Sequence, residues 1–112
     1  LELPAGKLEP GEDPKECAKR ELMEETGIIP GRLESLGCSY SSPGIFTEKI
    51  FLFLARDLIQ GEAFPDEGEF VEGERIPLAE LLDMAKENRI FDGKSLAGIF
   101  KGVLYLRGEA MD

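Results

Sequence analysis

The sequence predicts one domain that combines strands with helices, of the α/β or α+β class. Three observations lead there. The chain has 112 residues, enough for one core and too few for two. Residues 13–27 and the stretch after Asp92 carry helix signals and apolar side chains three and four apart. Between them, IFLFLA within residues 49–55 is an almost continuous apolar run, the pattern of a strand covered on both faces. No repeat, linker or low-complexity stretch divides the chain, so residues 1–112 read as a single domain.

The elements follow in order. Leu1 to Ala5 is short and apolar and reads as a strand end. The chain opens on a leucine rather than a methionine, and LELPAG starts abruptly, so an N-terminal segment with the first strands is expected to precede it. Gly6 to Glu12, with two glycines and a proline, is a loop. A helix then opens: Asp13 can cap it, Pro14 suits its first position, and Glu16 completes a capping-box pattern. Gly27 ends it, and Ala18 and Leu22 centre a narrow apolar stripe. Arg32 to Tyr40 and Lys49 to Ala55 are strand candidates, joined through SSPGIFTE. Residues 60–69 form an acidic loop, Phe70 to Ile76 a short strand, and Pro77 to Asn88 a helix with Leu78, Leu81, Leu82 and Ala85 on one face. In the last helix Leu96, Ile99, Phe100, Val103 and Leu104 are spaced for core packing. Gly93-Lys94-Ser95 looks like the end of a phosphate-binding loop, but Asn88 stands where its first glycine should, so the triplet reads as a helix start.

Composition narrows the function. The net charge is -10, from 13 basic and 23 acidic residues, which argues against nucleic acid or an anionic membrane as partner. No run reaches the roughly 20 apolar residues of a membrane span, and no signal peptide is visible. Cys17 and Cys38 make no disulfide framework and read as small buried side chains in a reducing cytoplasm. The chain has no histidine, so catalysis must rest on carboxylates, lysine, hydroxyls or bound metal. An acidic excess of this kind is either a solvated surface or a set of carboxylates converging on divalent cations.

Position decides between the two. In RELMEETG, Glu21 and Glu25 are four apart and Glu24 is three from Glu21, so all three share one side of the helix. Like charges at these spacings destabilise a helix by about a few tenths of a kcal/mol per pair. A solvated face tolerates that cost without requiring it. A hard cation such as Mg²⁺ explains it, because it takes oxygen ligands and one rigid helix can hold several. Gly6 allows the backbone to turn closely against the helix start, so that carbonyls near Ala5 can face a metal. Glu12 and Arg20, eight apart, suit an ion pair that ties loop to helix and orients Glu21.

The segment GKLEPGEDPKECAKRELMEETGI resembles the Nudix box, G-x5-E-x7-R-E-U-x-E-E-x-G-U with U aliphatic. Gly6, Glu12, Arg20, Glu21, Leu22, Glu24, Glu25, Gly27 and Ile28 fill every defined position. By average residue frequencies, a chance match at a given start is on the order of one in a billion, so coincidence is set aside. The resemblance implies an α/β/α sandwich with a mixed sheet, in which the box is a loop–helix–loop that binds Mg²⁺ or Mn²⁺ and a diphosphate. It implies Glu21 and Glu25 as main metal ligands, Glu24 as a further ligand and member of the catalytic set, the Ala5 carbonyl as another ligand, and Arg20 as their support. Gly6 then lies against the substrate.

The substrate is read from two further features. Pro43 lies 15 residues beyond Ile28, in a Ser-Pro-Gly setting followed by an apolar strand. With LELPAGKLEPGEDP, this resembles the ADP-ribose pyrophosphatase branch and places Pro43 and Gly44 near the substrate. In that branch a glutamate on a loop at the position of DEGEFVE activates the attacking water. The resemblance points to Glu69 and then Glu67, with Glu72 less suited because it falls in the expected strand. The function implied is Mg²⁺-dependent hydrolysis of ADP-ribose or a related ADP-sugar to AMP and a sugar phosphate, by a cytoplasmic homodimer. Other Nudix substrates, such as a GDP-sugar or a dinucleotide, and a non-catalytic nucleotide-binding module are the alternatives.

Overall fold

The computed structural model describes residues 1–40, 48–61 and 73–111. Five elements run in the order α1 (Pro14–Thr26), β1 (Ile28–Tyr40), β2 (Lys49–Gln60), α2 (Leu78–Lys86) and α3 (Gly93–Met111). The α/β class holds, and among the described residues the sheet consists of β1 paired with β2. Their contacts run in opposite directions: Gly61 reaches Gly27, whereas Asp57 faces Gly31. The strands are therefore antiparallel.

The chain divides into two compact units. One comprises Leu1–Leu3, Leu36–Leu52 and Arg75–Asp112, the other Pro4–Ser35 and Phe53–Glu74. The first unit centres on α3. Gly98 lies where a side chain would collide with Leu3 and touch Leu52. Ile90, Leu52 and Ile99 of this unit are buried. Ser95, 1% exposed, gives its hydroxyl proton to Asp92 Oδ2 at 2.6 Å and accepts the amide of Leu3 at 2.9 Å. The Asp92 carboxylate also accepts the Ser95 amide and the Lys94 ammonium, each at 3.0 Å. Gly93-Lys94-Ser95 is thus a capped helix start, as its sequence suggested.

The second unit is built on α1. Asp13 Oδ2 accepts the amides of Lys15 at 3.1 Å and Glu16 at 3.3 Å, and Pro14 begins the helix. Gly27, at φ 75°, ends it and donates to Met23 O at 2.9 Å. Half of the capping box forms, since no return bond from the Glu16 side chain is present among the described residues. β1 starts at Ile28, earlier than expected, and continues through Pro30 and Gly31. Opposite, Asp57 takes a left-handed φ of 54° and bends β2. A side chain at position 31 would stand 2.7 Å from Asp57 O, so only glycine lets the strands pass here. Arg32 Nε closes the bend on Asp57 Oδ2 at 2.8 Å.

Several expectations are corrected. Leu1 to Ala5 forms no strand, and residues 73–76, the described part of Phe70 to Ile76, are irregular. β2 is not covered on both faces: Leu52 is buried but Phe51 is 37% exposed. Phe100 and Leu104 also lie exposed, because α3 turns the side containing Ser95 and Ile99 inward. Cys17 is buried as expected, whereas Cys38 is exposed on β1. No described helix is long and apolar enough to cross a membrane.

Candidate functional site

The site begins with a turn. Glu9-Pro10-Gly11-Glu12 places proline second and glycine third, the arrangement of a type II turn, and Gly11 has the required positive φ of 77°. Glu12 donates its amide to Glu9 O at 3.0 Å, and its own Oε1 accepts the Glu9 amide at 3.1 Å. The turn therefore fixes the Glu12 carboxylate just before α1.

Arg20, two turns into that helix, meets it with a two-pronged ion pair. Nε donates to Glu12 Oε2 at 2.9 Å and Nη2 to Oε1 at 3.0 Å. This fork is the strong form of a guanidinium–carboxylate contact. The same guanidinium donates through Nη1 to Glu21 Oε1 at 3.0 Å and Glu24 Oε2 at 3.3 Å. Nη2 also reaches the Lys7 carbonyl at 3.5 Å. One cation thus ties the loop to the helix and offsets the repulsion among its carboxylates. The Arg20 hydrogen bonds hold the Glu12 carboxyl down at about 2, with the Glu9 amide adding to the effect. Glu12 in turn raises the Arg20 pKa beyond its already high value.

Beneath the loop, Cys17 is 5% exposed and donates its thiol proton to Lys7 O at 3.5 Å. Burial first, and then the Glu12 carboxylate, push the thiol pKa up, which keeps it a neutral donor. The other end of the loop lands further along α1, where the Ala5 amide donates to Glu25 Oε2 at 3.3 Å. Between these points Gly6 passes so close that any Cβ would fall on the Glu21 carboxyl group.

The structure thus brings Ala5, Gly6, Arg20, Glu21, Glu24 and Glu25 together on one loop and one helix. Arg20 pairs with Glu12, as their spacing suggested, and reaches Glu21 and Glu24 from the same guanidinium. Pro43, Gly44, Glu67, Glu69 and Glu72 lie outside the described residues. No three ligand side chains converge at metal-binding distance among the described residues. The reason is local: Arg20 contacts both Glu21 and Glu24, and Glu25 holds the Ala5 amide. The donor set nonetheless fits a hard divalent cation, with three carboxylates on one rigid helix and a cradle at Gly6 that a Cβ would fill. Two features escaped the sequence reading. Pro10-Gly11 signals a turn inside the expected loop, while the place of Cys17 under Lys7 has no signal beyond its position three residues before Arg20.

With this geometry in place, comparison with known proteins is informative. Residues 1–98 match the family profile described as the NUDIX domain. The chain belongs to the Nudix family, whose members act on small nucleoside diphosphate substrates and generally use divalent metal ions. It is 45% identical over 101 residues to a methanol dehydrogenase activator of Bacillus methanolicus, covering 88% of this chain and 55% of the relative. Over the same shares it is 39% identical to an ADP-ribose pyrophosphatase of Bacillus subtilis (strain 168). A GDP-mannose pyrophosphatase of Yersinia enterocolitica is 37% identical over 86% of this chain and 51% of the relative. The chain therefore spans about half the length of the curated relatives it matches.

Proposed function

We propose that the protein hydrolyses the diphosphate bond of ADP-ribose or a related ADP-sugar, giving AMP and a sugar phosphate, with Mg²⁺ as cofactor and Mn²⁺ as a substitute. The observation that carries this reading is the assembled box: Glu12 and Arg20 lock the loop onto α1 beside Glu21 and Glu24, and Gly6 gives the Glu21 carboxylate its room. In it Glu21, Glu25, Glu24 and the Ala5 carbonyl are the metal ligands. A divalent ion held there would neutralise the diphosphate and acidify water. The chain's own residues do the rest. Arg20 keeps Glu21 and Glu24 in place, and Gly6 lets the loop backbone lie close to the bound diphosphate. On sequence grounds, Pro43 and Gly44 line the substrate, and Glu69, or Glu67 beside it, orients or deprotonates the attacking water. A cytoplasmic homodimer belongs to the same reading.

Resemblance to an ADP-ribose pyrophosphatase at 39% identity supports the ADP-sugar. The GDP-mannose pyrophosphatase at 37% identity favours a GDP-sugar as the second reading. A panel of nucleotide sugars assayed with Mg²⁺ separates them. ADP-ribose should be the best substrate. Cleavage of GDP-mannose with ADP-ribose untouched would transfer the assignment to the second reading.

A further inference from the structure

Residues 5–7 of the box loop run along one side of α1, opposite in direction to the helix. The Lys7 carbonyl accepts the Cys17 thiol at 3.5 Å. Gly6 passes against the Glu21 carboxyl, so closely that a Cβ would overlap it. The Ala5 amide donates to Glu25 Oε2 at 3.3 Å. Positions 17, 21 and 25 are four apart, so they stack turn upon turn on one side of the helix. Lys7, Gly6 and Ala5 thus meet three successive turns in order. A loop shifted by one residue would bring the Cβ of Ala5 or Lys7 onto Glu21, where glycine alone has room.

Of the three helix positions, Glu21 and Glu25 are proposed metal ligands, and Cys17 is not. The thiol is also the less divided of the two donors on the Lys7 carbonyl. The other, Arg20 Nη2 at 3.5 Å, belongs to a guanidinium that serves Glu12, Glu21 and Glu24 as well. The thiol neighbours the Glu12 carboxylate too, but both oxygens there already accept from Arg20. A cation drawing on Glu21, Glu24 and Glu25 would compete with the Arg20 and Ala5 contacts. The bond from Cys17 to Lys7 involves none of those carboxylates. We propose that Cys17 is a positioning residue for hydrolysis: its buried thiol pins Lys7 and keeps the Ala5 carbonyl and Gly6 backbone in register with the metal-binding glutamates. This rests on the proposed function, in which Ala5, Glu21 and Glu25 hold the cation.

The test compares Cys17→Ala with Cys17→Ser. Both leave a similar gap at this buried position, and only serine keeps a proton donor. In metal-free protein, the Ala5 amide should exchange with solvent faster in Cys17→Ala than in the parent, with part of the difference recovered in Cys17→Ser. Mn²⁺ affinity, read by calorimetry below each unfolding midpoint, should fall roughly two- to tenfold in Cys17→Ala, the scale of one neutral hydrogen bond. At saturating Mn²⁺, kcat should fall by on the order of tenfold, because displaced reacting groups lose rate even with metal bound. Cys17→Ser should stand between parent and Cys17→Ala in both. An Ala5 amide indifferent to Cys17→Ala, a Cys17→Ser no better than Cys17→Ala, or losses that only follow the folded fraction would each overturn the inference. A parent that neither binds Mn²⁺ nor cleaves a nucleotide sugar would overturn the proposed function and the role of Cys17 in it. An active parent with an indifferent Cys17→Ala removes this inference alone.

Discussion

At the scale of single residues, the site is a competition for charge in which Arg20 does most of the arranging. Its fork on Glu12 holds that carboxyl at about 2, well below an ordinary glutamate. A carboxyl depressed on folding contributes stability that is fully present above its unfolded pKa and is lost as pH falls through the folded value. The pair should accordingly survive acidification to pH about 4, where ordinary glutamates begin to protonate, and fail only near pH 2. Side-chain carbon NMR of Glu12 would show this as a flat shift between neutral pH and 4, and Arg20→Ala should move its titration back towards the ordinary range.

Gly6 makes a separate prediction. The atoms nearest to a methyl group there belong to the flexible end of Glu21, so Gly6→Ala should change stability by about 0.5 kcal/mol or less, as exposed substitutions generally do. The displaced carboxylate should nonetheless lower the rate, by an amount on the order of 10²-fold. Thermal unfolding and steady-state kinetics on one preparation would read both. Much of this was legible in the sequence, because the spacing of Glu12, Arg20 and Glu21 implies the ion pair before any coordinates are known. The support from Cys17 was not, since its effect depends on which backbone carbonyl lies above it.

At the scale of elements, α1 is defined by signals that act through neighbouring residues. Asp13, Pro14 and Gly27 mark its ends in the sequence, and all three do so in the structure. Asp13→Ala should cost about 1 kcal/mol, read as a lower unfolding midpoint, because the Lys15 and Glu16 amides lose their acceptor. The strands were less legible for a physical reason. β1 begins at Ile28 and runs through Pro30 and Gly31, residues that usually argue against a strand. They are accommodated because Asp57, in the facing strand, adopts a left-handed conformation that the sequence does not advertise. The apolar run in β2 correctly predicted a strand but overstated its burial. An apolar pattern reports what a surface can bury; what covers it depends on other parts of the fold.

At the scale of the whole molecule, the acidic balance that first suggested metal chemistry also sets its electrostatics. A chain of net charge -10 repels a nucleoside diphosphate unless cations intervene. Chelation of divalent ions should therefore weaken substrate binding as well as stop turnover. The box glutamates are held in this structure by Arg20 and Ala5, so the proposed cation binding requires them to be drawn into a new arrangement. The measurement that tests this most directly is a Mn²⁺ titration by calorimetry, with a non-hydrolysable ADP-ribose analogue present, on the parent protein and on Glu25→Gln. The account predicts saturable binding to the parent and at least about tenfold weaker binding to the variant, the scale expected when a metal site is disturbed. A parent that takes up no Mn²⁺, or a variant that binds it as tightly as the parent, would contradict it.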